Sequence, residues 1–243
     1  MSKVPYCKAI GSLMYASIAT CPDIMFTVLT LSQFLENPGE AHWAGVKRVF
    51  HYLSGTRNFA ITYRRDRHSL QGYTDTDGFS QEHRHTISGH AFLIDGGAVS
   101  WSSWKQELVT LFTAGAEYVA AMHAAKEAIW LHRLIGDLHI PTAIATTLFC
   151  DNQAALHLAK TENYHARTKH IDTQYHFVCD IKKHGKISLA FCPTDDMTAD
   201  ILTKALPSWK IMRHGQALGL GRPCGGVLDS GAPEAVRAVQ ACL

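Results

Sequence analysis

Residues 70–78 read LQGYTDTDG and residues 88–106 read SGHAFLIDGGAVSWSSWKQ; between them these two stretches decide the fold. Short apolar and β-branched runs at 70–75, 89–95 and 98–102 have strand character, and Asp95, Gly96 and Gly97 supply the residues that a tight hairpin turn demands. Three strands in an antiparallel meander follow. Downstream the period changes. Residues 114–138 hold a long helical pattern, 146–150 a strand, and Asp151 or Asn152 caps the next helix. A helical stretch over about 168–184, a strand over 187–191 and a closing helix around 197–204 complete the set. A meander followed by alternating helices and strands predicts an α/β fold, a five-stranded mixed sheet flanked by helices.

Upstream, the pattern is mainly helical. Ile10, Leu13, Met14 and Ile18, then Ile24, Val28, Leu31 and Phe34, keep helical spacing, with Pro22 at a first turn. A third stripe, Trp43, Val46, Val49, Phe50 and Leu53, runs from 41 to 53, and Trp43 with Phe50 is expected to leave an apolar face. Three regions are expected: a helical segment over 1–68, the sheet domain over 69–218, and a weakly ordered Gly/Pro tail over 219–243.

The chain has 243 residues, of which 47% are hydrophobic and 18% charged, an ordinary globular balance. Its net charge of +2 does not announce a nucleic-acid binder, but the distribution is uneven. Residues 1–70 hold 8 basic and 4 acidic side chains, 71–164 hold 5 and 10, and 165–214 hold 8 and 5. An acidic middle lies between basic flanks. No apolar run is long enough for a membrane span and no secretory signal opens the chain, so it reads as soluble and intracellular, in cytoplasm or nucleus. The 7 cysteines are scattered without a C-x-x-C pair, which argues against a disulfide framework. His165, His170, His176 and Cys179 suggest a zinc site only weakly, because they lack the close ligand pairs of structural zinc.

Three acids fall where the strands and the long helix bring them together. Asp75 closes the first strand, Asp151 follows a later one, and Glu117 lies early in the long helix. On the Glu117 face stand Ala120, Ala121, Ala124 and Ala128, small enough for close approach to a sheet, beside a stripe of Tyr118, Met122, Ala125 and Ile129. Singly, each acid also reads as a helix cap or a solvated strand end. Clustered carboxylates repel one another unless a cation neutralises them, and hard oxygen donors call for Mg2+ or Mn2+. Asp200 in TADILTK could complete the set.

The order of GYTDTDG, SGHAFLIDGGAVSWSSWKQ, AEYVAAMHAAKEAIWLHRL, LFCDNQAALHLAK, HARTKHID and PTDDMTADILTKALP resembles the ribonuclease H domain of copia-type (Pseudoviridae) retrotransposon Pol polyproteins, over about residues 70–218. YCKAIGSLMYASIATCPDI and HWAGVKRVFHYLSGT look like the connection that follows the reverse transcriptase palm in the same polyproteins. The resemblance implies a ribonuclease H-like fold that cuts the RNA strand of an RNA/DNA hybrid with two divalent ions. It implies Asp75, Glu117, Asp151 and Asp200 as catalytic, metal-holding acids, with Glu117 the helix acid because it directly precedes the Tyr and Ala pattern. Family members usually carry a Trp where this chain has Gly78 and a Ser-Thr-Glu run where it has Thr113, Ala114 and Gly115. Arg167, Lys169, Asn152 and Lys105 are the expected nucleic-acid contacts, and Asp77 is a neighbour of the site. The implied partners are an RNA/DNA hybrid and a reverse transcriptase palm, with no membrane. No palm, integrase or protease motif occurs in these residues, so polymerisation and integration are not expected of them. The rival reading is a catalytically inactive remnant or a hybrid-binding module.

Overall fold

A computed structural model describes residues 4–64, 69–77, 86–106, 113–140, 145–158, 181 and 183–223. Three helices, α1 (Tyr6–Ala19), α2 (Met25–Ser32) and α3 (Glu40–Thr56), open the chain, with a 3-10 turn at Pro22–Ile24 between the first two. They share one core, built from Tyr6, Ile10, Leu13, Val28, Val46 and Val49 among others. Three expected core residues lie outside it. Ile18, Phe34 and Phe50 are 61%, 39% and 43% exposed: the buried stripes run through Ser17 on α1 and Tyr52 on α3, and Phe34 lies past the end of α2. Trp43 is only half-buried.

The sheet comprises β2 (Gln71–Thr76), β3 (Ile87–Ile94), β4 (Gly97–Lys105), β5 (Thr146–Cys150) and β6 (Ile187–Phe191), in the spatial order β4-β3-β2-β5-β6. β2, β3 and β4 pair antiparallel, whereas β5 and β6 join in parallel, so the sheet is mixed as the sequence predicts. The β3–β4 turn has Asp95 at φ 51° and Gly96 at φ 76°, the two left-handed residues that match a two-residue hairpin to the strand twist. This is the ribonuclease H-like fold.

Both sheet faces are covered. On one, Phe92 and Leu148 pack under α4 (Thr113–Asp137) against Tyr118, Val119, Met122 and Ala125. Ala120, Ala121, Ala124 and Ala128 are all buried, and α4 lies against β2, β3 and β5. On the other face, Ala91 and Leu93 meet Ile201, Leu202, Ile211 and Leu218. Alternation along β3 separates these sets, as the two-residue strand period requires.

The closing segment departs from expectation. The predicted helix at 197–204 is a 3-10 helix, Thr198–Leu202, and a further helix, α6 (Ser208–Ala217), follows it. Pro207 at its N-cap hid α6, because a proline after an apolar run reads as a stop. Beyond it, Leu220–Gly221 (β7) pairs with Ala60–Ile61 (β1), joining the chain before the sheet to the segment after it. Helix α5 (Gln153–Leu158) follows β5. Most of the predicted helix at 168–184, the histidine cluster 165–179, and the tail from 224 lie outside the described residues.

One glycine controls how closely the last segment approaches the sheet. A Cβ on Gly89 would stand 2.7 Å from Leu202 Cβ and 2.9 Å from Thr203 Cγ2. Gly89→Val should therefore cost about 1–3 kcal/mol by forcing the 3-10 helix outward. Gly11→Ala, in the exposed interior of α1 with nothing within 4 Å of the added methyl, should gain roughly 0.5–1 kcal/mol. Urea unfolding of both variants checks the contrast; a Gly89→Val protein as stable as the parent would contradict the close approach.

Candidate active site

The site stands where β2 and β5 end. Tyr73 of β2 is level with Phe149 of the parallel β5, which sets Asp75 level with Asp151 two residues on. Asp75 is fully buried and shares the sheet face of Tyr73, toward the 3-10 helix; its neighbour Thr76 points to the opposite face, toward α4. Two acids of the cluster thus reach the same sheet end from opposite faces.

On the 3-10 side, Thr203 Oγ1 donates to Asp75 Oδ2. Lys204 Nζ donates to Asp75 Oδ1 at 3.1 Å and to Asp200 Oδ1 at 3.0 Å. Ser103 Oγ anchors this segment to β4 through the Leu202 carbonyl at 2.6 Å. On the α4 side, Thr76 Oγ1 donates to Glu117 Oε1 at 3.0 Å, while Glu117 Oε2 is buried without a hydrogen-bond partner. Donor atoms of Glu117, Cys150 and Asp151 lie within 4.8 Å of one another. Thr194 Oγ1 donates to Asp151 Oδ2 at 2.9 Å.

Burial dominates the electrostatics. It pushes the Glu117 carboxyl up to about 9, with the charges of Asp75 and Asp151 adding to the effect. Asp75 is pushed up to about 7 by burial, against the pull of Lys204, and Asp200 and Asp151 also raise it. Burial alone would lower Lys204, yet the Asp75 and Asp200 carboxylates outweigh it and hold the ammonium above its ordinary range. The Cys150 thiol is raised by burial and then by Glu117, so it stays protonated and offers no hard anionic donor. Its sulfur accepts from the Asn152 backbone N–H at 3.4 Å.

All four sequence-predicted acids meet here. The expected nucleic-acid contacts do not meet them in the same way. Asn152 uses its side-chain oxygen to accept from the Ala155 N–H at 3.1 Å and so caps α5. Lys105 turns toward α2 and donates to Gln33 Oε1 at 3.3 Å. Arg167 and Lys169 lie outside the described residues. Asp77 accepts from the Ile87 N–H at 3.0 Å and closes the β2–β3 ladder. Sequence reasoning missed Thr76, Thr194, Thr203 and Lys204. The one available signal was Lys204 four residues after Asp200 in ADILTK, a spacing at which opposite charges meet on one side of a helical turn.

A carboxylate cluster at the sheet end of a ribonuclease H-like fold is the class that fold and site define. The retrovirus-related Pol polyprotein of the tobacco (Nicotiana tabacum) transposon TNT 1-94 is 42% identical over 208 residues, 85% of this chain and 16% of that protein. The corresponding polyprotein of the Arabidopsis thaliana transposon RE2 is 32% identical over 229 residues, 92% of this chain and 16% of that one. No protein-family model matches. A solved ribonuclease H1, LC11, in complex with an RNA/DNA hybrid shares 13% identity at a TM-score of 0.39, covering 55% of this chain and 91% of that one. The chain belongs to the copia-type retrotransposon Pol polyproteins, of which it spans about a sixth of the length of the curated relatives. No described helix is long and apolar enough to cross a membrane.

The raised carboxyls fix the sign of the pH response. A group whose folded pKa exceeds its unfolded value binds a proton on folding, so the metal-free fold loses stability as pH rises from about 4.5 toward about 9. In a chelator, the unfolding temperature should fall between pH 5.5 and 8.5. Glu117→Gln, which leaves nothing to ionise there, should flatten the fall and unfold about 3 °C or more above the parent at pH 8.5, the scale of ~1 kcal/mol in a chain of this size. A variant that melts below the parent at pH 8.5 would refute this account.

Proposed function

We propose that the chain is a divalent-metal ribonuclease H that cleaves the RNA strand of RNA/DNA hybrids. The observation that carries the proposal is the convergence of Asp75, Glu117, Asp151 and Asp200 from four separate segments on one end of the sheet. The donor set fits Mg2+ or Mn2+: hard oxygens throughout, a protonated thiol that does not compete, and an orphaned Glu117 oxygen buried in the cluster. Asp75, Glu117, Asp151 and Asp200 would hold two such ions. Bound there, the metal supplies an activated water and charge stabilisation at the departing 3′ oxygen.

The protein's own residues do the rest. Thr76 and Thr194 orient Glu117 and Asp151 by single hydrogen bonds, and Thr203 orients Asp75. The alanine face of α4 lets Glu117 come within reach of the sheet. An acidic centre repels phosphate, and the basic flanks of 1–70 and 165–214 offset it, so the net charge of +2 is a cancellation. Recognition would rest on backbone shape and 2′ hydroxyls, with little sequence preference.

In this reading, residues 1–68 are the connection to a reverse transcriptase palm, 69–218 the ribonuclease H-like domain and 219–243 a tail, whose first residues are not loose but pair as β7 with β1. The separate helical core of α1–α3 supports the first division.

Cleavage of a labelled hybrid in Mg2+ or Mn2+ tests the proposal. The parent should leave 5′ phosphate and 3′ hydroxyl ends, and Asp151→Asn and Glu117→Gln should each lose on the order of 10²-fold or more in rate. Cleavage that survives both substitutions would remove the site assignment. A parent that binds hybrid without cutting it would favour the non-enzymatic module.

A further inference from the structure

The four carboxylates are not served equally. One half of the cluster, Asp75 with Asp200, already has a cation: Lys204 Nζ lies 3.1 Å from Asp75 Oδ1 and 3.0 Å from Asp200 Oδ1. The other Asp75 oxygen is taken by Thr203. The second half has none among the described residues. Glu117, 4% exposed, leaves Oε2 without a hydrogen bond, within 4.8 Å of donor atoms on Asp151 and Cys150. One side of the site therefore holds a counter-charge of its own, and the other holds none among the described residues.

Resting on the metal reading above, we propose that Lys204 is a resident counter-cation that holds the Asp75–Asp200 half, so that the hybrid-free protein takes one divalent ion, at the Glu117–Asp151 half, rather than two. Four carboxylates are matched by one ammonium and one divalent ion to within a single charge. A second divalent ion held by both Asp75 and Asp200 would have to displace Thr203 from Asp75 Oδ2 or share Asp75 Oδ1 with the ammonium, and two cations repel strongly on one oxygen at contact distance. The Lys204 side chain keeps 28% of its surface exposed, so it has an exit to solvent. The phosphate backbone of a hybrid supplies the acceptors that would draw the lysine out. Lys204 is thus a positioning residue: it keeps Asp75 and Asp200 facing one another before substrate arrives and defers filling of their half until then.

Counting bound Mn2+ on the full chain without nucleic acid, by calorimetry and by the loss of the free-ion paramagnetic signal, tests this. The parent and Lys204→Arg should bind one equivalent. Lys204→Met should bind two, with the second at least about 10-fold tighter than any second ion on the parent. Asp200→Asn, which removes one acid from the lysine-held half and relieves repulsion there, should keep its single ion with affinity little changed, and it serves if Lys204→Met fails to fold by circular dichroism. Two comparable equivalents on the parent, one on a folded Lys204→Met protein, or loss of the ion in Asp200→Asn would each overturn the proposal. No Mn2+ on any variant would bring down the metal reading itself, whereas one equivalent on both the parent and a folded Lys204→Met protein would bring down only the role of Lys204.

Discussion

Burying several carboxylates within reach of one another is the constraint on which this structure turns. Desolvation and mutual repulsion both oppose their ionisation, which is why Glu117 and Asp75 are pushed far above the ordinary carboxylate range. A cluster of this kind persists only if the surrounding elements fix it and a cation offsets it. Among the described residues Lys204 is such a cation, placed between two of the four acids.

Much of the remaining architecture serves to hold that arrangement. The alanine-rich face of α4 allows a helix acid to lie against a strand end, and Gly89 allows the closing 3-10 helix to lie against β3. These two close approaches come from opposite faces of the sheet and meet at its end. The closing segment is secured by Ser103 on the Leu202 carbonyl and by the β1–β7 pairing farther out. The helical segment is tied in as well: the Trp101 indole donates to the Ser17 carbonyl at 2.8 Å. The segment that precedes the sheet domain in sequence is thus part of the support for β4, on the side of the sheet remote from β6.

The acids of the cluster stand at the junctions between elements. Asp75 is near the end of β2, Asp151 directly after β5, and Asp200 within a 3-10 turn, positions from which a side chain can leave the packed layers without breaking them. Of the expected nucleic-acid contacts, Asn152 and Lys105 have partners within the chain: one caps a helix, the other reaches Gln33 at the end of α2. An acid or amide beside the carboxylate cluster can serve the backbone, as Asn152 does at the start of α5 and Asp77 does in closing a ladder.

The mixed sheet, the hairpin at Asp95 and Gly96 and the long helix were legible in sequence, because each rests on local periodicity or turn chemistry, and the four acids that the motif order singled out do come together at one sheet end. Burial on a helix was less legible: Phe50 and Tyr52 are both apolar enough for a core, and the face that α3 turns to α1 and α2 carries the tyrosine and leaves the phenylalanine outside. Helix α6 was concealed by the proline that starts it. The partners of the acids were not legible at all. Thr203 and Lys204 are 128 and 129 residues from Asp75, and nothing local to either end marks the pair. Sequence alone determined which residue types could form the site, since donor chemistry belongs to side chains; tertiary structure decided which half of it already holds a charge, since that depends on the distance between groups the chain brings together only by folding.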